Sequence, residues 1–195
     1  MKLNSFIKLA DSIHAYSLKF HNGKVIAISN PFLIEKTIDF KVPDLEITRF
    51  TNLLVFDELN EDSFKIDENQ LIIEQGNIKL ITPYIELDLK DLEDYKVPEN
   101  KDYICNIEDQ VILDKLNEIY KLTKAQIYLN TNDIECYADN NTFNIKHECS
   151  AKNEMEDSIE LTELFKLGQD WLALKIANGV ITGITEDAIV HYFRA

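Results

Sequence analysis

The chain reads as one order of secondary structure used twice, and this repetition limits the folds open to it. One half runs from Met1 to about Leu87, and the other runs from about Tyr103 to Ala195. In each half, apolar spacing and turn residues predict a helix, a strand hairpin, a strand, a short helix and a three-stranded meander. The sequence therefore predicts an α+β protein of two similar domains, whose shape rather than a reaction centre carries the function.

The first domain, residues 1–87, is predicted from apolar spacing and from its turns. Asn22-Gly23 lies between two apolar runs and predicts a hairpin, because both residues tolerate positive φ. Asp44 is placed to cap a helix that turns Leu45, Leu53 and Leu54 inward. Helices are predicted at 1–14 and 44–56, and strands at 17–29 (the hairpin), 37–42, 63–67, 71–75 and 78–87.

Residues 88–102 interrupt the pattern and are predicted to connect the domains. This stretch is charged and contains Pro98, and it is too long for an ordinary loop. The second domain, residues 103–195, then repeats the order of the first. Helices are predicted at 107–124 and from Ser158 or Glu160 to Lys166, and strands at 126–129, 134–137, 142–149, 171–177, 180–185 and 188–193.

The formal net charge of −15 bears on the choice of partner. A uniformly acidic surface would exclude nucleic acid, because phosphate binding requires Lys and Arg. A chain can instead gather a few cations on one face and leave acid elsewhere, where it repels DNA. The alternative is that the acidity serves only solubility.

No residue pattern in the chain indicates catalysis. The five glycines form no phosphate-binding loop, and the four histidines are scattered, without a local nucleophile motif. The acidic pairs Asp57/Glu58 and Glu61/Asp62 are typical of solvated loop ends. Trp171 is expected in the core. We therefore expect no enzyme activity, no catalytic residue and no cofactor.

The three cysteines are predicted to be reduced thiols. Their odd number and wide separation do not suggest a disulfide framework. Zinc binding by Cys136, His147 and Cys149 is not expected either, because no CxxC or HxxxH spacing is present. The N-terminus has no apolar signal core and no apolar run is long enough to span a membrane, so a non-secreted, cytoplasmic protein is predicted.

Short stretches of the chain resemble one known family. They are Asn22-Gly23-Lys24 in the first hairpin, Thr37 to Val42, Gly76-Asn77-Ile78-Lys79, and Val97 to Lys101 at the end of the connector. In this order they are similar to stretches of DNA sliding clamps, above all those of T-even bacteriophages. The resemblance covers nearly the whole chain.

The resemblance implies a ring around duplex DNA. Two domains per subunit imply a homotrimer of six similar units, with helices lining the hole and strands forming the outer wall. Such a ring holds a DNA polymerase on its template as a processivity factor in phage DNA replication, and a separate ATP-driven clamp loader opens it. The contact with DNA is independent of sequence, and no membrane partner is implied.

Three sets of residues follow from the resemblance. The cations expected to face DNA are Lys2, Lys8, Arg49, Lys115, Lys121, Lys124 and Lys166. Asp114 and Glu118 lie near Lys121, so this helix face is mixed in charge. Subunits are expected to join through edge strands at about 77–87 and 142–149. The residues expected to form a pocket for partner peptides are Leu92, Tyr95, Val97, Pro98, Tyr192 and Phe193.

Two other functions are compatible with the sequence. A processivity factor of the same fold could cling to DNA as a monomer or dimer without closing a ring, and it would bind linear DNA with a steep salt dependence. An acidic decoy that mimics DNA would instead bind cationic proteins in a salt-sensitive manner and would not associate with DNA.

Overall fold

The computed structural model describes residues 3–147, 149 and 158–194. The chain divides into two compact units, Met1–Lys96 and Val97–Ala195. The division falls inside the stretch that the sequence marks as a connector. Among the described residues, no helix combines the length and the apolar character needed to cross a membrane.

Unit 1 contains two antiparallel sheets, the helix α1, a 3₁₀ helix and two shorter helical turns. One sheet has the order β4-β1-β2-β3 and the other has the order β5-β6-β7. The elements are α1 (Asn4–Ser12), β1 (Leu18–His21), β2 (Lys24–Ser29), β3 (Phe32–Thr37), β4 (Leu45–Ile47), a 3₁₀ helix (Phe50–Val55), a 3₁₀ turn (Glu61–Ser63), β5 (Phe64–Asp67), β6 (Gln70–Gln75), β7 (Ile78–Pro83) and the short α2 (Lys90–Glu93).

Unit 2 repeats this connectivity with one additional strand. Its sheets have the orders β12-β9-β10-β11 and β8-β13-β14-β15. The elements are a 3₁₀ turn (Asn100–Asp102), β8 (Tyr103–Ile107), α3 (Gln110–Thr123), β9 (Gln126–Leu129), β10 (Asp133–Ala138), β11 (Asn141–Lys146), β12 (Ile159–Glu160), α4 (Thr162–Lys166), β13 (Ala173–Ala177), β14 (Val180–Ile184) and β15 (Ile189–Phe193).

The order and pairing of the strands show that each unit consists of two similar halves. In unit 2, β8-α3-β9-β10-β11 and β12-α4-β13-β14-β15 have the same order, strand–helix–three strands. Each leading strand pairs with the first hairpin strand of the other repeat, β8 with β13 and β12 with β9. In unit 1, β4 pairs with β1 in the same manner, and within the described residues no strand precedes α1.

Local sequence explains the turns and the longest helix. Asn22 and Gly23 take positive φ values of 48° and 70°, as a two-residue hairpin turn with right-handed strand twist requires. Asp109 begins α3 by accepting a hydrogen bond from the backbone N–H of Val111 at 2.9 Å. Lys124 ends α3 in the left-handed region, with φ of 55°.

Each unit has its own buried aromatic centre. In unit 1, the ring of Phe20 on β1 lies 5.7 Å from that of Phe64 on β5, which joins the two sheets. In unit 2, Trp171 is fully buried and covers Gly183 on β14. A Cβ atom at Gly183 would lie 2.3 Å from Cζ3 of Trp171, so only glycine leaves room for the indole.

The sequence-based prediction is wrong between Phe32 and Val55. The strand predicted at 37–42 lies instead at Phe32–Thr37, and the helix predicted at 44–56 is β4 followed by a 3₁₀ helix. Leu45 and Ile47 are buried on either side of the half-buried Glu46, which is the period-two pattern of a strand. Leu53 is buried as expected, whereas Leu54 is 36% exposed.

The prediction of three reduced thiols is also wrong. Cys105 on β8 and Cys149 form a disulfide, with their Cα atoms 4.8 Å apart and a sequence separation of 44. Cys136 on β10 remains a free, buried thiol. The sequence could not indicate this pairing, because the strand pairing of unit 2 brings the two cysteines together.

Candidate nucleic-acid interface

In each unit the two helical segments pack side by side. In unit 1, α1 packs against the 3₁₀ helix Phe50–Val55. In unit 2, the ring of Tyr120 on α3 lies 6.3 Å from that of Phe165 on α4. The start of α3 is also fixed, because the amide of Gln110 donates a hydrogen bond to the backbone carbonyl of Trp171 at 3.2 Å.

These helical segments carry almost none of the chain's negative charge. Lys8 and Asp11 cancel on α1, and Glu163 and Lys166 cancel on α4. Arg49 adds one positive charge at the start of the 3₁₀ helix, and residues 110–124 add one more, from three lysines and two acids. The four segments total +2, whereas the whole chain carries −15, so the rest of the chain holds −17.

Three of the predicted DNA-facing cations are free to meet a phosphate. Lys8 on α1, Arg49 before the 3₁₀ helix and Lys115 on α3 are exposed. None of them forms an ion pair with another described residue. Lys2 lies outside the described residues.

The other three described cations already have partners. The ammonium of Lys121 lies 3.4 Å from a carboxylate oxygen of Asp170, and both side chains are exposed. Lys166 pairs with Glu163, and the hydrogen bond from this pair raises the pKa of Lys166. The ammonium of Lys124 lies 5.0 Å from the centre of the Tyr120 ring. Such exposed pairs are weak, so phosphate can compete for these cations.

A shallow cavity of about 410 Å³ lies along the polar face of α3. Its lining residues are Asp114, Asn117, Glu118, Lys121, Leu122 and Asp170. Three carboxylates and one ammonium make this part of the surface acidic. The sequence predicts this, because acidic and basic residues share this face of α3. The cationic part of α3 is therefore limited to Lys115 and Lys124.

The two strands expected at subunit contacts lie at the edges of their sheets. β7 is an outer strand of the three-stranded sheet, and β11 is an outer strand of the four-stranded sheet. Both expose apolar side chains: Ile78 is 42% exposed, Ile81 53% and Phe143 38%. An apolar edge strand with free backbone groups is a surface that favours pairing with another chain.

The start of the connector is held against β1 by a hydrogen bond. The buried ammonium of Lys19 donates a hydrogen bond to the backbone carbonyl of Asp88 at 2.7 Å. The same ammonium lies 3.1 Å from a carboxylate oxygen of Glu46, which is 16% exposed. A lysine on a strand thereby fixes where the connector leaves the sheet, a role that no local pattern around Lys19 predicts.

The residues expected to form the peptide pocket are divided between the units. Leu92 and Tyr95 are half-buried in unit 1, where the backbone N–H of Tyr95 donates to the carbonyl of Leu92 at 3.1 Å. In unit 2, Val97 is 42% exposed, and Pro98, Tyr192 and Phe193 are half-buried. Their partial exposure leaves apolar surface available, and a joint pocket stays a prediction.

A cluster of sulfur and nitrogen atoms in unit 2 was missed by sequence spacing. Donor atoms of Cys105, His147 and Cys149 all lie within 4.8 Å of one another. Burial lowers the pKa of His147, and a hydrogen bond with the Asn106 backbone acts in the opposite direction, so that backbone group accepts from the ring. The three residues considered from the sequence, and not expected to bind zinc, contained Cys136 in place of Cys105.

Comparison with known proteins gives a structural likeness only. No protein-family model matches the chain, and no curated protein matches it. A solved structure of the Pseudomonas aeruginosa DNA polymerase III subunit beta has a TM-score of 0.61 and 9% identity, and the match covers 97% of this chain and 61% of that one. The Helicobacter pylori beta clamp bound to a DNA ligase peptide has a TM-score of 0.63 and 10% identity, with coverages of 98% and 63%.

These similarities show that the chain has a sliding-clamp fold. The likeness extends through both units, because the matches cover nearly the whole chain. The chain spans about three fifths of the length of the clamp subunits that it matches.

Proposed function

We propose that this protein is a DNA sliding clamp of the T-even bacteriophage type, which encircles duplex DNA and tethers a DNA polymerase as a processivity factor. The observation that carries the proposal is the clamp fold together with its charge distribution. The helical segments are slightly positive and the rest of the chain carries −17. Sequence-independent binding requires loose phosphate contacts of this kind, because base-specific contacts would stop a sliding protein.

The proposed assembly is a homotrimer. Three chains of two units would give a ring of six similar units, joined through β7 of one subunit and β11 of the next. The apolar side chains of these edges, Ile78, Ile81 and Phe143, would be covered in the seam. A heterologous contact of this kind closes into a ring when the rotation between subunits allows it.

The proposed clamp performs no chemistry, and its partners do the work. A polymerase would dock through a short peptide in the pocket of Leu92, Tyr95, Val97, Pro98, Tyr192 and Phe193. The Helicobacter pylori beta clamp binds a DNA ligase peptide, which supports peptide capture as the mode of binding. A clamp loader would open the ring.

The test measures whether binding to DNA is topological. The protein is diluted until it dissociates, mixed with nicked circular plasmid, concentrated so that subunits reassemble, and passed through a large-pore gel-filtration column. The proposal predicts that protein elutes with the circular DNA and is released when a restriction enzyme linearises the plasmid. Protein mixed with linear DNA of the same sequence should not be retained.

A matched pair of edge variants controls the test. Phe143→Asp and Asn141→Asp add the same charge to β11. Of these two residues, only Phe143 contributes apolar surface there. Retention on the circle should be lost in Phe143→Asp and kept in Asn141→Asp. Equal retention on linear and circular DNA would favour the factor that clings without a ring. Absence of any DNA association would favour the acidic decoy.

A further inference from the structure

We propose that Cys105, His147 and Cys149 form a zinc-binding site when the two cysteines are reduced. Cys105 comes from β8, and the other two residues come from the segment that follows β11. Their donor atoms lie within 4.8 Å of one another. Thiolate sulfur and imidazole nitrogen are the ligands that Zn²⁺ prefers in proteins.

The spacing of the atoms suits a shared ion. Typical Zn–S and Zn–N bonds of about 2.3 Å and 2.1 Å, at a tetrahedral angle, place sulfur and nitrogen about 3.6 Å apart. Sγ of Cys105 and Nε2 of His147 are 3.7 Å apart. After reduction the two sulfur atoms need to separate only to about 3.8 Å. The fourth position remains open to water, as in other sites with three protein ligands.

Backbone contacts hold the ligands in place. The backbone N–H groups of His147 and Cys149 donate to the carbonyls of Asn132 and Thr131, at 3.2 Å and 3.3 Å. These bonds keep the segment after β11 beside the β9–β10 turn without help from the disulfide.

The disulfide and the zinc site exclude each other. A dithiol reductant supplies two electrons and two protons to the S–S bond, which becomes two thiols while the reductant is oxidised to its own disulfide. Zn²⁺ then binds both sulfurs as thiolates and releases the two thiol protons. Either state ties Cys149 to β8, but only the zinc state persists in a reducing compartment.

The experiment uses the full-length protein. It is reduced with a dithiol, freed of reductant without oxygen, and titrated with Zn²⁺ under native mass spectrometry and with Co²⁺ under near-ultraviolet absorption. We expect one zinc ion per chain and a Co²⁺–thiolate charge-transfer band. Cys136→Ser should behave as wild type, because this thiol belongs to β10 and not to the cluster.

Two variants make the outcome decisive. Cys105→Ser and His147→Ala should each weaken Zn²⁺ binding by at least about tenfold. Because His147→Ala keeps both cysteines, formation of its disulfide under oxidising conditions shows that the variant is folded. Failure of the reduced wild type to bind either metal, or unchanged binding in Cys105→Ser, would overturn the proposal. Neither result bears on DNA retention, so the clamp function stands or falls separately.

Discussion

The two units share one connectivity but differ in the type and length of their helices. Unit 2 has an α-helix of 14 residues, α3, with a capping aspartate, and a second α-helix, α4. Unit 1 has an α-helix of nine residues without a side-chain cap, and its second helical segment is 3₁₀. Apart from the additional strand β8 of unit 2, strand pairing is the same in both. Strand pairing therefore maintains this fold in both units, whereas the type of helix depends on the local sequence.

The units also differ in how they are fixed internally. Unit 2 has the additional strand β8, the disulfide and the indole of Trp171 over Gly183. Unit 1 relies on the buried Lys19–Glu46 ion pair and on the Lys19 hydrogen bond to the connector. Loss of the disulfide should therefore affect unit 2, and removal of the buried lysine should affect unit 1.

The largest expected effect is in the core of unit 2. Trp171→Ala should lower the free energy of unfolding by about 3–5 kcal/mol, because it empties a fully buried indole site. Gly183→Ala should cost about 1–3 kcal/mol, because its Cβ would overlap the ring. Hydrogen exchange under denaturant should localise both losses to unit 2. Equal losses in unit 1 strands would show that the two units unfold together.

The disulfide should have the next largest effect. Closing a loop of 44 residues stabilises the folded state by about 4 kcal/mol in the chain-entropy model. Reduction in the presence of a chelator should therefore shift the unfolding transition of unit 2, followed by fluorescence of Trp171, the single tryptophan. Chelated, reduced protein that unfolds at the same denaturant concentration as oxidised protein would contradict this expectation.

The ion pair of unit 1 should contribute less. Lys19→Met leaves the carboxylate of Glu46 without its partner and removes the hydrogen bond to the Asp88 carbonyl, at a cost of about 2–3 kcal/mol. Lys24→Met is the matched control, since its pair with Glu35 involves a lysine that is 43% exposed and should be worth at most about 1 kcal/mol. Chemical denaturation of both variants measures the difference. Similar losses would mean that burial of Lys19 is unimportant.

The cations of the two units should differ in their contribution to DNA binding. Reversal of all three in Arg49→Glu, Lys121→Glu, Lys124→Glu should weaken processive synthesis without unfolding the protein. Singly, Arg49→Glu should weaken binding more than Lys121→Glu, because Lys121 is already paired with Asp170. Each lost phosphate contact reduces the slope of log K against log salt by about 0.9. Full processivity in the triple variant would show that these helices do not face DNA.

The smallest expected effect concerns the free thiol. Burial raises the pKa of Cys136 to about 11, so at neutral pH it is a thiol rather than a reactive thiolate. An alkylating reagent should therefore leave Cys136 unmodified in the folded protein and modify it only after denaturation. Mass spectrometry of the modified peptides measures this order, and early alkylation of Cys136 would show that its strand opens.

Much of this fold could be predicted from local sequence signals. Asn22-Gly23, Gly76-Asn77 and Asn178-Gly179 mark hairpins, because their turns require positive φ. The segment from Phe32 to Val55 was mispredicted because Leu45 and Ile47 fit either a short strand or a helix start. Pairing with β1, a long-range contact, decides between the two.

The candidate site was less accessible to sequence reasoning. The exposed cations on helices could be predicted, because helical spacing gives their faces. Their pairing could not: Lys121 meets Asp170, which lies 49 residues away. The cysteine cluster could not be predicted for the same reason, since Cys105 and His147 are 42 residues apart and meet only through the fold.

The most direct test of the proposed ring is the absolute mass of the protein in solution. Light scattering across a dilution series distinguishes the assemblies, since one chain has a mass of 22.6 kDa and three chains have 3 × 22.6 = 67.8 kDa. A closed ring of three chains predicts a mass near the trimer value that falls only on dilution. A mass of one chain at every concentration would contradict a ring built from this sliding-clamp fold.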